Sequence, residues 1–339
     1  MVNIFIKSFN RPFYLDRCLQ SIESFVEGDF CVKVLDDGTP ETYLSKIKEK
    51  HPKIEIIKSE NYQNKVAAIA ENLQSGKEID GFTIPTNLWY KAAKNASDYF
   101  MMIEDDVWFT EDFDLNETVN LMRKMEMSIL KLGWISNTPI SSKIKDFNEK
   151  IQTIDLKIFS APDFVMKWFF ANKYYFYSIL KKLNFINSNI MSDYWVMNSM
   201  LVGIFEKNYW LYIWKNVDGK VNEKKLIRNC VKWYRKNRKP NCYSKLKNKI
   251  VNTTFISSAT NSYHKYGIKC DINIFNHIMN KEWYHDNLDP MEGFPKDIPE
   301  ASYSSFLLKE NNDRCTNESW ILWKEVFKNQ YRKQNVDVD

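Results

Sequence analysis

Tyr99-Phe100-Met101-Met102-Ile103-Glu104-Asp105-Asp106-Val107-Trp108-Phe109 is the stretch that decides how this chain is read. Five apolar residues with aromatic and β-branched members read as a buried strand, and the run stops at three consecutive carboxylates. Carboxylates at the end of a buried strand are costly unless something positive meets them. A divalent metal is such a partner, because hard oxygen ligands suit Mg²⁺ or Mn²⁺, and those ions commonly clamp a diphosphate between protein and substrate. A turn carrying three solvated acids is the alternative.

Upstream, apolar runs at residues 2–8, 31–35 and 54–58 alternate with helix-like stretches, the signature of a parallel sheet built from strand-helix-strand units. The first helix has Pro12 near its start and Leu15, Cys18, Leu19, Ile22, Phe25 and Val26 at helical spacing until Gly28. Another spans about 86–96, with Leu88, Ala92, Ala93 and Ala96 on one face. In open parallel sheets, ligands bind outside the carboxyl ends of the strands. The polar residues fall there: Ser8-Phe9-Asn10-Arg11, Asp36-Asp37-Gly38-Thr39 and Glu104-Asp105-Asp106. One rim thus gathers a cation, two acid clusters and backbone turns.

The 339 residues, 44% of them hydrophobic, suffice for one large α/β domain with an extension. The 48 basic and 43 acidic residues leave a net charge of only +5, weak support for a polyanionic partner. That charge is local. Residues 224–249 carry eleven Lys and Arg and no acid, so the remainder holds 37 basic (48 − 11) against 43 acidic residues. The six cysteines lie far apart, without zinc-ligand spacing, and read as reduced, mostly buried thiols. With no signal-peptide pattern and no long apolar span, the expected location is cytoplasmic.

Beyond the acidic triplet the spacing predicts a strand at 133–136, an aromatic-rich stretch at 164–177 and a helix over about 192–205. A short strand at 251–258 and a final helix follow, the latter with Asn317 as cap and Trp320, Trp323, Phe327 and Tyr331 on one stripe. The expected division is a domain over 1–270 and an extension over 271–339. Within the domain, 1–110 form the nucleotide half, 111–215 the acceptor half and 220–249 a basic amphipathic segment.

Phe9-Asn10-Arg11-Pro12 followed by Leu15, Leu19 and Ser21-Ile22, then Val34-Leu35-Asp36-Asp37-Gly38-Thr39, then the triplet within 102–107, together resemble the glycosyltransferase family 2 type of GT-A enzyme. The resemblance is clear over residues 2 to about 110 and thins to about 205. It implies a GT-A, Rossmann-like α/β fold with a mostly parallel central sheet flanked by helices, and a largely helical C-terminal extension. It also implies transfer of a sugar from a nucleotide-sugar, commonly a UDP-sugar, to a hydroxyl of an acceptor. On this likeness Phe9, Asn10, Arg11, Asp36, Asp37 and Asp105 bind the nucleotide-sugar, and Asp106 resembles the metal-ligating last acid of the D-x-D motif. Glu104 stands where the family has its first acid, keeping the charge on a longer arm.

The same resemblance places a catalytic carboxylate at Asp193 in Met191-Ser192-Asp193-Tyr194-Trp195, as the general base that takes the acceptor hydroxyl proton and gives inversion at the anomeric carbon. A favourable first-turn acid is the alternative. His264 in Ser262-Tyr263-His264-Lys265-Tyr266-Gly267 is the expected third ligand of a divalent metal, Mn²⁺ or Mg²⁺, with His285 a second candidate and His51 and His277 structural. The family's Asn-x-Gly turn has no counterpart in Asn61-Tyr62-Gln63-Asn64-Lys65, and Thr86-Asn87 stands for its usual Arg-Asn.

The expected partners are a nucleotide-sugar donor, a glycan, glycolipid or glycoprotein acceptor, and no nucleic acid. A helix over 222–237 has one apolar and one basic face, which suits peripheral contact with the inner membrane surface through 222–249, or a solvated basic face packed on the domain. Two other functional readings stay open. One is a catalytically silent GT-A domain that binds glycans or recruits partners. The other is a nucleotidyltransferase, which wants a glycine-rich signature that Ser8-Phe9-Asn10-Arg11-Pro12 does not supply.

Overall fold

The computed structural model describes residues 1–339 except 78, 80–82, 134–139, 188, 201, 218, 238, 240, 260–266, 334, 335, 337 and 339. Its strands are β1 (Val2–Ser8), β2 (Val26–Glu27), β3 (Phe30–Asp36), β4 (Glu55–Lys58), β5 (Tyr99–Glu104), β6 (Val107–Phe109) and β7 (Phe113–Asp114). They continue as β8 (Ile129–Lys131), β9 (Lys143–Asp146), β10 (Ile151–Asp155), β11 (Gly203–Glu206), β12 (Tyr243–Leu246) and β13 (Val251–Thr253). Nine of them form one sheet in the order β4-β3-β1-β5-β11-β8-β12-β10-β9. The expected α/β architecture with a central sheet flanked by helices is present. Its first four strands pair in parallel, as the strand-helix alternation requires. The remaining pairings are antiparallel except β12 with β8.

Alternation along β1 and β5 builds two cores. Ile4, Ile6, Met101 and Ile103 face one layer with Leu15 and Leu19 of the helix Pro12–Phe25, while Phe5, Phe100 and Met102 face another with Trp210 and Trp214. Two-sided burial explains why these strands read as continuous apolar runs.

The helix expected over 192–205 is shorter: it runs Ile190–Val196, and residues 203–206 are β11, antiparallel between β5 and β8. Ile204 enters one core and Phe205 the other, a period-two demand that overrides helical spacing. Only Val251–Thr253 of the strand expected over 251–258 is strand. Of the candidate at 133–136, residues 134–136 lie outside the described residues.

The basic helix forms as Glu223–Lys236, with the Asn222 side chain accepting from the Lys225 N–H at 3.0 Å. Its apolar residues Leu226, Ile227, Cys230 and Val231 are buried in the core beside Tyr209 and Trp210. An interfacial helix needs that face free. The apolar face expected to serve membrane contact through 222–249 is therefore occupied by the core.

The helices Ile272–Tyr284, Glu300–Glu310 and Asn317–Arg332 share the core of β1, with Phe275, Trp320 and Trp323 buried in it. Thr316, not Asn317, caps the last helix, accepting from the Ser319 N–H at 3.1 Å. Polar residues of Pro12–Phe25 hold this extension in place. The Tyr14 hydroxyl meets Asp297 at 3.0 Å and the Tyr303 hydroxyl at 2.9 Å, and the Arg17 guanidinium donates to the carbonyls of Pro290, Glu292 and Lys296. All six cysteines are free thiols, five of them buried. No helix among the described residues is long and apolar enough to cross a membrane.

A Cβ at Gly203 would lie 2.8 Å from the Leu130 carbonyl oxygen, a backbone atom that cannot swing aside. Gly203→Ala is expected to lower stability by about 1–3 kcal/mol as overpacking does. Urea unfolding should show a lower midpoint at unchanged slope, and an unmoved midpoint would contradict the close approach of β11 to β8.

Candidate active site at the strand-end rim

Parallel pairing brings the carboxyl ends of β1, β3 and β5 side by side, with Ser8 opposite Asp36 and Lys7 opposite Glu104. Arg11, one turn past β1, closes the rim. Its guanidinium forks, Nη2 to Asp105 Oδ1 at 2.5 Å and Nη1 to Asp106 Oδ2 at 2.9 Å. Asp105 Oδ2 also accepts the Phe9 N–H at 3.1 Å. Burial works against the Arg11 charge, yet Asp105 and Asp106 hold its pKa above the ordinary value. Burial pushes Asp105 up to about 7 against the pull of Arg11, with Asp106 and Glu104 adding repulsion.

Asp36 is fully buried, which pushes its carboxyl up to about 6 although Thr39 and Gly38 hydrogen bond to it. Its Oδ1 accepts the Gly38 and Thr39 N–H groups at 3.0 and 2.8 Å, and its Oδ2 the Thr39 hydroxyl at 2.6 Å. Asp36 therefore shapes the turn. Asp37 ion-pairs with Lys65 from the helix Tyr62–Ser75, and burial outweighs that pairing to raise its pKa. Gly38 has φ +144°, and a Cβ there would meet Lys65 Cβ at 2.8 Å and Phe9 Cε2 at 3.0 Å. Phe9, Gly38 and Lys65 thus make one close corner, with Lys65 Nζ 5.6 Å from the centre of the Phe9 ring. Asn10, at φ +51°, donates its N–H to the Thr39 hydroxyl at 2.9 Å, and its carbonyl accepts from Asn280 at 3.1 Å. It is buried, so it builds the rim from beneath.

Glu104 is half-exposed and pairs with Lys7 at 2.6 Å. Lys7 also reaches the Met200 carbonyl at 3.4 Å, and the buried Lys131, lowered to about 7 by burial, donates to the Asn198 carbonyl. These lysines hold carbonyls of the segment that follows the helix Ile190–Val196. Asp193 of that helix does not face an open cleft: it is fully buried, its carboxylate accepting the N–H groups of Ser141 (3.0 Å) and Ser142 (2.8 Å). In this state it anchors a loop.

His264 lies outside the described residues. His51 is structural, as expected, its ring held by Asp16 and Glu23 at 2.9 Å each. Sequence reasoning missed Lys7, Lys65, Lys131 and Asn280. Lys65 carried a signal, because it precedes Ile69 and Asn72 at helical spacing on the buried face.

No group of three His, Cys, Asp or Glu placed to hold a metal occurs among the described residues. A metal held between protein and diphosphate needs only one or two carboxylates, the phosphates supplying the remainder. Asp106 fits that role: its Oδ1 is buried and has no hydrogen-bond partner while Oδ2 pairs with Arg11. Such an oxygen is costly to leave unsatisfied.

No protein-family model matches the chain, and no curated protein sequence matches it. Solved structures share part of its chain path. TarS 1-349 of S. aureus in complex with UDP-GlcNAc is 11% identical at a TM-score of 0.42, covering 92% of this chain and 72% of that one. The bifunctional glycosyltransferase WbbM gives 8% and 0.38 over 84% and 51%. Glucosyl-3-phosphoglycerate synthase of Mycobacterium tuberculosis, with Mn²⁺, UDP and phosphoglyceric acid, gives 12% and 0.24 over 39% and 42%. Likenesses of this depth carry no argument about what the chain does.

Arg11→Ala would leave two buried carboxylates uncompensated, and a loss of about 3–5 kcal/mol in urea unfolding is expected. A change near zero would contradict the fork as the rim's tie. Asp36, with its folded pKa raised to about 6, binds protons more tightly folded than unfolded. Its contribution is fully present below the unfolded value of 3.8 and is lost as pH rises through about 6. Relative to Asp36→Asn, the native protein should therefore lose stability between those pH values, and parallel pH profiles would refute the shift.

Proposed function

We propose that the chain is a metal-dependent GT-A glycosyltransferase that binds a nucleotide-sugar on the rim formed by residues 8–11, 36–39 and 104–106. The single observation that carries the reading is the Arg11 fork on Asp105 and Asp106, which leaves Asp106 Oδ1 buried and unpartnered beside the half-exposed Glu104. Asp37 receives the nucleoside, with the Phe9 ring forming part of the wall. A UDP-sugar is the proposed donor, following the family resemblance of Phe9-Asn10-Arg11-Pro12 and Val34–Thr39.

Asp106 and Glu104 would hold the divalent metal. A divalent ion held there would neutralise the charge that builds on the leaving diphosphate. Arg11, charged and buried, fixes the carboxylates so that Asp106 presents one oxygen and does not rotate away. Lys7 holds Glu104 at the rim's outer edge.

For Asp193 to act as the general base that gives inversion, the Ser141 and Ser142 amides must release its oxygens. Acceptor binding against that loop is the proposed trigger. The acceptor is a hydroxyl of a glycan or of a lipid-linked or protein-linked sugar.

Calorimetric titration with UDP, GDP, CDP and dTDP, each with Mn²⁺ or with chelator, tests the donor site. Metal-dependent binding of UDP, lost in Asp106→Asn and weakened in Asp37→Ala, is expected. Failure of all four nucleotides would overturn the reading. In a UDP-sugar turnover assay, Asp193→Asn is expected to lose about 10²–10⁴-fold in kcat with nucleotide binding retained, the range of general-base catalysis. Unchanged turnover would leave Asp193 as a loop anchor alone.

A further inference from the structure

The helical hairpin over 163–182 is built against the rules of a soluble surface. It comprises the helix Asp163–Phe170, a turn of 3-10 helix at Lys173–Tyr175 and the helix Phe176–Lys182. The first helix buries Met166, Phe169 and Phe170, whereas the other two elements bury no side chain fully and rest on the core through the partly buried Phe176, Tyr177 and Leu180. Seven of the fifteen large hydrophobic side chains exposed among the described residues fall between 164 and 185. Tyr174 is 73% exposed, Tyr175 75% and Phe185 73%, with Trp168, Ile179 and Leu183 beside them in sequence. A seven-residue helix does not hold itself together in water, and apolar patches of this kind mark a binding surface.

The backbone adds to this. Tyr174 and Tyr175 have φ of +54° and +57°, a conformation that bulky side chains rarely adopt. Strain of that kind concentrates where a segment meets a ligand.

Charge identifies the occupant. From 164 to 190 the chain carries Lys167, Lys173, Lys181 and Lys182 and no acid. The acid just before, Asp163, pairs with Arg228 at 3.3 Å and Lys232 at 3.1 Å, which joins the hairpin to the basic helix Glu223–Lys236. Beyond Lys232 that helix lines an open groove with Arg235, Lys236 and Tyr212. Aliphatic side chains among aromatics, ringed by lysines and with no carboxylate from 164 to 190, match the boundary between lipid headgroups and acyl chains.

We propose that residues 163–185 seat the protein on an anionic phospholipid surface. The exposed rings and aliphatic side chains enter the headgroup boundary, while the hairpin lysines and the basic face of Glu223–Lys236 meet lipid phosphates. The apolar half of the contact comes from this hairpin, since that of the basic helix is spent on the core.

The test is co-sedimentation of the full chain with phosphatidylcholine vesicles, alone or with about 30% phosphatidylglycerol to give an anionic surface. Binding to the anionic vesicles, weakened by salt, is expected. The triple variant Tyr174→Ser, Tyr175→Ser, Phe185→Ser should bind at least about tenfold more weakly, as loss of buried apolar area requires. All three side chains are exposed, so its urea midpoint should match the native protein, which separates lost docking from misfolding. Lys173→Gln with Lys181→Gln should lower affinity about fivefold per lysine. Native protein that stays in the supernatant, or a triple variant that sediments as the native does, would overturn the proposal. So would self-association lost in the triple variant without vesicle binding, which would assign the patch to a second copy of the chain.

Discussion

Arg11 is the constraint on which the rim depends. Parallel pairing of β1 with β5 sets Asp105 and Asp106 beside the loop that follows β1, and three adjacent carboxylates at a buried strand end cannot all stay ionised without compensation. Arg11 meets two of them with one planar group and Lys7 meets the third. A buried pair of this sort is no great source of stability, but it is expensive to break, so it fixes geometry more than it adds free energy. It ties the ends of two strands nearly a hundred residues apart and leaves one carboxylate oxygen without a partner. The proposed chemistry needs that oxygen.

The turn after β3 is a second tie of the same logic with a different outcome. Adjacent aspartates divide the work, Asp36 bonding inward to its own turn and Asp37 standing against Lys65. Nothing in the pair of letters distinguishes them. Their roles follow from their places, Asp36 as the last residue of β3 and Asp37 as the first of the turn beside the helix that carries Lys65.

Much of the first hundred residues was legible in sequence because two-sided burial makes parallel strands continuous apolar runs and each run ended in a polar turn. The downstream half was harder for physical reasons. Gly203-Ile204-Phe205 reads as the tail of a helix until its slot between β5 and β8 is known, since a short apolar run fits either period. The resemblance offered Asp193 as a general base, and its burial beneath the Ser141–Ser142 loop joins positions that only the fold brings together. Arg11, Asp105 and Asp106 were visible as residues, but their pairing was not, because it joins positions brought together by the sheet alone. Lys131 on a core strand and Asn280 on a late helix gave no local hint of reaching the rim.

A crystal of the protein grown with UDP and Mn²⁺ tests the central claim most directly. Nucleoside density against Phe9 and Asp37, diphosphate density running to Asp106, and an Arg11 fork still in place are expected. Nucleotide density away from residues 8–11 and 104–106, or an Arg11 that has left both carboxylates, would contradict it.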